Sequence, residues 1–387
     1  MSNDRAGIYI NQLNGDLSYN AFIPKPLPPN PPIKFDSELT NLLSEADRAI
    51  GRLDGVLNNI PNPDLFVMMY VKKEAVLSSQ IEGTQASLSD ILDKEEDILS
   101  GEKSNDVIAT LNYINAMNYG MERIKKFPLS LRLIREIHQR LLVNVRGHEK
   151  EPGEFRIGQN WVGPQGCKLA EAAYVPPPVH EMNEALGELE KYLHAQKVYP
   201  ALIECGLIHA QFETIHPFLD GNGRIGRLLI TFLLCTGGVI AQPLLYLSYY
   251  FKKNKQAYYE KLMSVRVDGN WEGWLKFFLK GISETSENVV GLSNKILDLK
   301  KSKEELVRKS MRRSSINMMD LLEKLYVHPV ITVNKASELC DISYNAAKSI
   351  IKTLEGLNLL TEKSGKKRDR KYYFKEYIDL LNEGTSL

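Results

Sequence analysis

The sequence predicts a mainly α protein: a helical core interrupted by a β-hairpin flap, an N-terminal helical domain before it, and a small α/β winged-helix domain after it. Three observations lead there. Apolar residues recur at helical spacing through most of residues 36–287. One stretch, 154–176, instead alternates its side chains around Gly163-Pro164-Gln165-Gly166, which reads as a hairpin. Beyond residue 313 the order becomes helix, strand, helix, tight turn, helix and hairpin, the order of a winged helix-turn-helix. The expected divisions are 1–105 for an N-terminal arm and helical domain, 106–287 for the core, 288–312 for a helical linker and 313–387 for the winged-helix domain.

Each element has a local reason. Residues 24–32 hold six prolines in nine positions and read as an extended arm laid over a domain. Asp36 or Ser37 can cap a helix carrying Leu39, Leu42, Leu43, Ala46 and Ile50. A second helix begins near Asp64, runs through Ile81 and stops at Gly83. Ser87–Leu99, Asp106–Ile124, Ser130–Val143 and Val179–His194 repeat the amphipathic pattern, and helices resume at about 199–213, 224–236, 253–264 and 271–281. Asn288–Lys309 reads as a polar helical connector. In the C-terminal domain a helix over Met318–Leu325 precedes a short strand and a helix over Lys335–Leu339. A turn at Asp341-Ile342 then leads to Ser343, which can cap the helix Tyr344–Leu354.

Composition narrows the function classes. With 387 residues, 43% hydrophobic and 25% charged, the chain can bury two or three cores, and wholesale disorder is excluded. The 49 basic and 48 acidic side chains leave a net charge of +1, so no global field selects nucleic acid or membrane. Residues 310–375 depart from that balance, with 13 Lys/Arg against 7 Asp/Glu. Cys167, Cys205, Cys235 and Cys340 are scattered without a C-x-x-C pair, which suggests neither zinc nor disulfides and fits a reducing compartment. The N-terminus lacks the pattern of a signal peptide, and the most apolar stretch, Leu228–Ile240, is too short for a bilayer of ~30 Å. A cytoplasmic protein without a membrane partner is expected.

The chemistry concentrates in His216-Pro217-Phe218-Leu219-Asp220-Gly221-Asn222-Gly223-Arg224-Ile225-Gly226-Arg227. Gly221 and Gly223 let successive backbone N–H groups turn inward as an anion nest at a helix N-terminus, where the dipole also favours phosphate. Arg224 and Arg227, three apart, share a helix face and can clamp phosphoryl oxygens. Asp220 is a hard oxygen ligand suited to Mg²⁺ shared with a diphosphate. His216 is a base able to take a proton near neutral pH. Together these describe transfer of a phosphorus-centred group from a nucleotide to a nucleophile, without a Walker-type P-loop.

This segment resembles the Fic motif, H-P-F-x-D-G-N-G-R-x-x-R, at every fixed position. The resemblance implies transfer of AMP from ATP to a Tyr, Thr or Ser hydroxyl of a target protein, with release of pyrophosphate. It implies His216 as the base and Asp220 as the Mg²⁺ ligand. Gly221, Asn222 and Gly223 would form the anion hole, and Arg224 and Arg227 would hold the outer phosphates. Gly223 stands where phosphate-transferring relatives carry Lys. The 154–176 hairpin resembles the family's flap, which registers a target segment by strand addition. Ser78-Ser79-Gln80-Ile81-Glu82-Gly83 resembles the family's inhibitory motif, (S/T)-x-x-x-E-(G/N); Ser78 and Glu82 share a helical face, and Glu82 would pair with Arg227. Relatives often dimerise, so a homodimer is expected, and self-modification is a further expectation.

The winged helix leaves two uses open, DNA and protein docking. Helix 344–354 offers Tyr344, Asn345, Lys348 and Lys352, and the wing places Lys366, Lys367 and Arg368 in a basic run. The alternative to an enzyme is therefore a DNA-binding regulator whose Fic domain senses a nucleotide.

Overall fold

A computed structural model describes residues 5–13, 15, 18–57, 63–96, 104–145, 147–164, 166–310, 315–362 and 370–383. The chain opens on a hairpin that the proline-centred reading did not anticipate. Strand β1 (Gly7–Gln12) pairs antiparallel with β2 (Tyr19–Pro24), with Gly7 opposite Pro24 and Gln12 opposite Tyr19. The N–H of Phe22 also donates to Val175 O at 3.0 Å, which fastens this hairpin to the exit of the flap.

The helices follow in the expected order. Helix α1 (Ser37–Leu57) starts where Asp36 Oδ1 accepts the N–H of Leu39 at 2.8 Å. Helix α2 (Pro63–Ile81) is followed by α3 (Leu88–Glu96), α4 (Asn105–Ile124), α5 (Leu131–Leu141) and α6 (Val179–His194). Ser104 and Ser130 cap α4 and α5 through their hydroxyls. Next come α7 (Ala201–Ile215), α8 (Asn222–Thr236), α9 (Ser248–Lys253), α10 (Lys255–Asp268) and α11 (Trp271–Ser310). The run expected at 253–264 is α10; the short α9 precedes it, and Asn254, whose φ of −115° and ψ of 37° leave the helical region, separates the two.

Helix α7 is buried all round, every residue from Leu202 to Ile215 included, so it is the axis of the core rather than an amphipathic surface helix. Helix α8 packs against it, and α11 crosses on another side, where Trp274 Nε1 donates to Gly206 O at 2.8 Å.

Two expectations are revised. The flap is not an extended hairpin. It is closed by one antiparallel bridge, Val162 with Tyr174, and contains a 3-10 turn over Leu169–Glu171. Gly158, Gly163, Pro164 and Gly166 on one side and Pro176–Pro178 on the other prevent a longer ladder. The stretch from Asn288, expected as a polar helical connector, is helical but not polar on every face. It is the second half of the 40-residue α11, and Val289, Leu292, Ile296, Leu299 and Val307 are buried along it. Its charged residues lie on the remaining faces, which is why the composition reads as polar.

The C-terminal part comprises α12 (Ser315–Leu325), β3 (Val330–Ile331), α13 (Val333–Cys340), α14 (Tyr344–Gly356), β4 (Thr361–Glu362), β5 (Tyr372–Tyr373) and α15 (Lys375–Asn382). Its antiparallel sheet has the order β3-β5-β4. Asp341 takes the left-handed conformation between α13 and α14 (φ 50°), and Ser343 caps α14. Lys366, Lys367 and Arg368 lie outside the described residues. Among the described residues, no helix is long and apolar enough to cross a membrane.

Candidate active site at the loop between the two central helices

The loop between α7 and α8 holds the residues singled out by chemistry. His216 caps α7 in the left-handed region (φ 50°, ψ 59°), and its N–H still reaches Phe212 O. A non-glycine residue keeps that conformation only where its surroundings hold it. Here the His216 carbonyl accepts from Arg156 Nε at 3.1 Å and from Asn160 Nδ2 at 3.2 Å, both at the base of the flap. Gly221 is the cap of α8 with φ 81°, a conformation that costs glycine little.

The N–H groups of Asn222, Gly223 and Arg224 form the first turn of α8, where a helix offers no internal acceptors. The N–H of Gly221 is taken by Asp220 Oδ1 at 2.6 Å. Asn222 departs from the expected role in one respect: its side chain does not face an anion. It is buried and closes the loop, Oδ1 accepting from Phe218 N at 2.9 Å and Nδ2 donating to Phe218 O at 2.7 Å. Only its backbone N–H is left for a ligand. Asn222→Ala is expected to cost about 1–3 kcal/mol, since the buried Phe218 N–H loses its partner while Phe218 O keeps only Asn160 Nδ2, and a denaturant melt reads it directly.

Electrostatics set the loop up for proton abstraction. Burial, then the charge of Arg266, push the His216 imidazole down to about 4, so it is neutral at physiological pH. Nδ1 lies 3.4 Å from Glu213 O. A carbonyl only accepts, so that contact places the proton on Nδ1 and leaves the Nε2 lone pair free. Arg224 is buried and only loosely paired with Asp220, Nη2 to Oδ1 at 3.4 Å; its Nε has no hydrogen-bond partner, which leaves donors for oxyanions.

Ser78 and Glu82 reach this loop from the end of α2. Arg227 donates from Nε to Ser78 Oγ at 2.8 Å, from Nη2 to Ser78 O at 3.0 Å, and from Nη2 to Glu82 Oε1 at 2.7 Å. Burial works against ionisation of Glu82, but the charges of Arg227, Arg224 and Lys255 outweigh it and hold the carboxyl below its usual range. Protein atoms crowd the group, yet 37% of the Glu82 side chain stays accessible, so water screens the pair from one side. The same carboxylate presses on the start of α8: a methyl group on Gly223 would collide with Glu82 Oε1. Glu82 is also one wall of a cleft of about 320 Å³ lined by Thr84, Asp106, Val145, Asp220 and Arg224.

Several residues that shape the site carry no motif signal. His138 on α5 accepts the N–H of Gly153 at Nδ1 (2.9 Å), so its Nε2 carries hydrogen and donates to Asp220 O at 3.0 Å. Its ring stacks on Phe218 with centroids 3.7 Å apart. His209, by contrast, is the structural histidine expected: it is buried between Gly226 O and the Tyr258 hydroxyl, each 2.9 Å away.

Glu213, on α7, is buried against Gly226, and its Oε1 has no hydrogen-bond partner. Burial raises its carboxyl to about 7, against the pull of Arg227. A folded-state value above the unfolded one means that the folded state binds the extra proton, so stability falls as pH rises from about 4.5 to about 7. Glu213→Gln removes that titration. The variant is expected to exceed the wild type by on the order of 2 kcal/mol at pH 8 and to match it closely at pH 5, as read by melts at the two pH values.

The loop thus brings together a neutral histidine, the N–H groups at a helix start and two arginines three residues apart. Residues 40–122 match the Fic/DOC family N-terminal region and residues 128–234 match the Fic/DOC family. The chain carries both of these regions in sequence, the first match containing Ser78 and Glu82 and the second His216 through Arg227. Similar proteins include the protein adenylyltransferase Fic of Aedes aegypti, 30% identical over 189 residues, which make up 48% of this chain and 32% of that protein. The protein adenylyltransferase Fic of Drosophila ananassae is 29% identical over 187 residues, 47% of this chain and 32% of that one. The chain thus spans about a third of the length of the curated relatives it matches. The crystal structure of a Fic family protein from Desulfovibrio desulfuricans G20 superposes with a TM-score of 0.57 at 17% identity, covering 88% of this chain and 97% of that one, and shows that the fold is shared.

Proposed function

We propose that this chain is an autoinhibited protein adenylyltransferase, moving AMP from ATP to a Tyr, Thr or Ser hydroxyl of a target protein. The observation that carries the reading is the Glu82–Arg227 pair at the start of α8, a carboxylate standing where a phosphate would bind. His216 Nε2 takes the hydroxyl proton, the freed oxygen forms a bond to the α-phosphorus, and the bond from that phosphorus to the β-phosphate bridge breaks, releasing pyrophosphate. The N–H groups of Asn222, Gly223 and Arg224 and the guanidinium groups of Arg224 and Arg227 orient the phosphates and stabilise their charge.

Asp220 fits a shared divalent cation. Its side chain is partly exposed at the cleft, and among the described residues no group of three or more His, Cys, Asp or Glu could hold a metal by itself. Asp220 would hold Mg²⁺ through its carboxylate, and the ion would supply neutralisation of diphosphate charge there. The flap presents Ile157, Trp161 and Val162 to solvent, 80%, 42% and 38% exposed, as an edge for an extended target segment.

The C-terminal part has the element order of a winged helix and is proposed as an accessory for targeting or dimerisation. Tyr344, Asn345, Lys348 and Lys352 are exposed on α14, where DNA contacts would be salt-sensitive. A homodimer is proposed with it, and the scattered spacing of the four cysteines suits a reducing compartment such as the cytoplasm. Incubation with ATP labelled at the α- or the γ-phosphate tests the chemistry: protein-bound α-label without γ-label is expected, and γ-label on protein would replace AMP transfer with phosphate transfer.

A further inference from the structure

Arg266 has no part in the chemistry above, yet its guanidinium is spent on the turn that presents His216. It stands in the last turn of α10, buried. Nη2 donates to Glu213 O at 3.1 Å and Nε to Thr214 Oγ1 at 3.2 Å. Its plane covers the ring of Tyr174 at 3.8 Å, and the Tyr174 hydroxyl donates to Thr214 O at 2.5 Å. The final carbonyls of a helix have no internal donors, and a cation there is favoured by the helix dipole. Arg266 and Tyr174 supply those donors to α7 at Glu213 and Thr214, three and two residues before His216 leaves the helix.

We infer that Arg266 is a positioning residue for His216, fixing the carbonyl on which the imidazole is oriented and so keeping its free nitrogen toward the acceptor hydroxyl. The inference rests on the proposed role of His216 as base. Glu213 O is the shared element, accepting from Arg266 and lying 3.4 Å from His216 Nδ1. That second contact is long, so the orientation of the ring depends on the carbonyl being held still. Arg266 also acts through charge. The charged groups that bear on His216 are Arg266 from α10, Arg156 from the flap base and Glu82 beyond the end of α2, while the backbone carbonyl of Glu213 favours the protonated ring; after burial, Arg266 does most to disfavour the imidazolium. The charge of Arg266 also works against the upward push of burial on the hydroxyls of Tyr9 in β1 and Tyr174 in the flap, which links the N-terminal hairpin to the same cluster.

The test uses the full chain with ¹⁵N-labelled histidine, the His216 signals being those lost in His216→Ala. In the wild type His216 is expected to be one tautomer, protonated on Nδ1, and still neutral at pH 5.5. In Arg266→Met its midpoint is expected to rise by about one unit and the two tautomers to exchange, because both the fixed carbonyl and the neighbouring cation are gone. Arg266→Lys keeps a charge without the forked geometry; an intermediate midpoint with mixed tautomers is expected, and this variant carries the test if the Met variant does not fold. In a Glu82→Gly background, Arg266→Met is expected to lower kcat for AMP transfer by about tenfold or more with KM for ATP nearly unchanged. An unaltered His216 midpoint and tautomer in both Arg266 variants, or an effect on KM for ATP alone, would overturn the inference. If no AMP transfer occurs in any form, the functional reading fails while the imidazole titration still decides the positioning role.

Discussion

Glu82→Gly is expected to raise the rate of AMP transfer from ATP by at least about tenfold, since a shift of only ~1.4 kcal/mol toward the open phosphate site has that effect. Two contacts are lost together. Arg227 Nη2 gives up its partner at 2.7 Å, and the carboxylate pressed against Gly223 leaves the start of α8. Ser78 Oγ and O still hold the guanidinium, so Arg227 stays oriented while its charge becomes free for a phosphate. The gain is limited because Glu82 is partly accessible and its pair already screened. KM for ATP should fall as kcat rises, and replacing Arg227 with Ala in the same background should remove the gain. Initial rates across an ATP series measure both, and equal rates in Glu82→Gly and wild type would show that the pair does not restrain the enzyme.

The second large effect concerns the base. His216→Ala is expected to reduce transfer by about 10²–10⁴-fold, the usual contribution of a positioned general base. Because burial and Arg266 hold the imidazole down to about 4, it is neutral across the physiological range, and its loss as a base sets in only as pH falls toward that value. The Glu82→Gly enzyme should therefore show a flat rate from about pH 6 upward where His216 alone controls it, and a decline on acidification. A rate that climbs through pH 6–7 would mean that the imidazole titrates near its ordinary value and that the turn around it is looser than described.

What could be read in advance follows from the range of the interactions. The α7–α8 loop carries its chemistry within twelve consecutive residues, so its spacing is visible in the sequence. Ser78 and Glu82 stand four apart on one helix, and their meeting with Arg227 was expected from the family resemblance. The helices from Ser37 to Thr236 declare themselves by caps and apolar period. His138, Asn160 and Arg266 could not be found that way, because each acts on a backbone carbonyl 50 or more positions distant. Glu213 has only a weak local hint, a carboxylate within a largely apolar helix that also holds Glu204. The N-terminal hairpin had a turn signal in Asn14-Gly15, but the proline run that follows dominated the reading. The flap's alternation suggested a ladder that its glycines and prolines reduce to one bridge, and α11 buries a stripe that net polarity concealed.

The most direct measurement is the intact mass of wild type, Glu82→Gly and Glu82→Gly/His216→Ala after incubation with ATP and Mg²⁺, with α-labelled ATP run in parallel. The account predicts self-linked AMP on the Glu82→Gly protein, little on the wild type and none on the double variant. AMP of equal amount on the double variant would contradict His216 as the base, and no α-label on Glu82→Gly, with or without an added target lysate, would contradict AMP transfer itself.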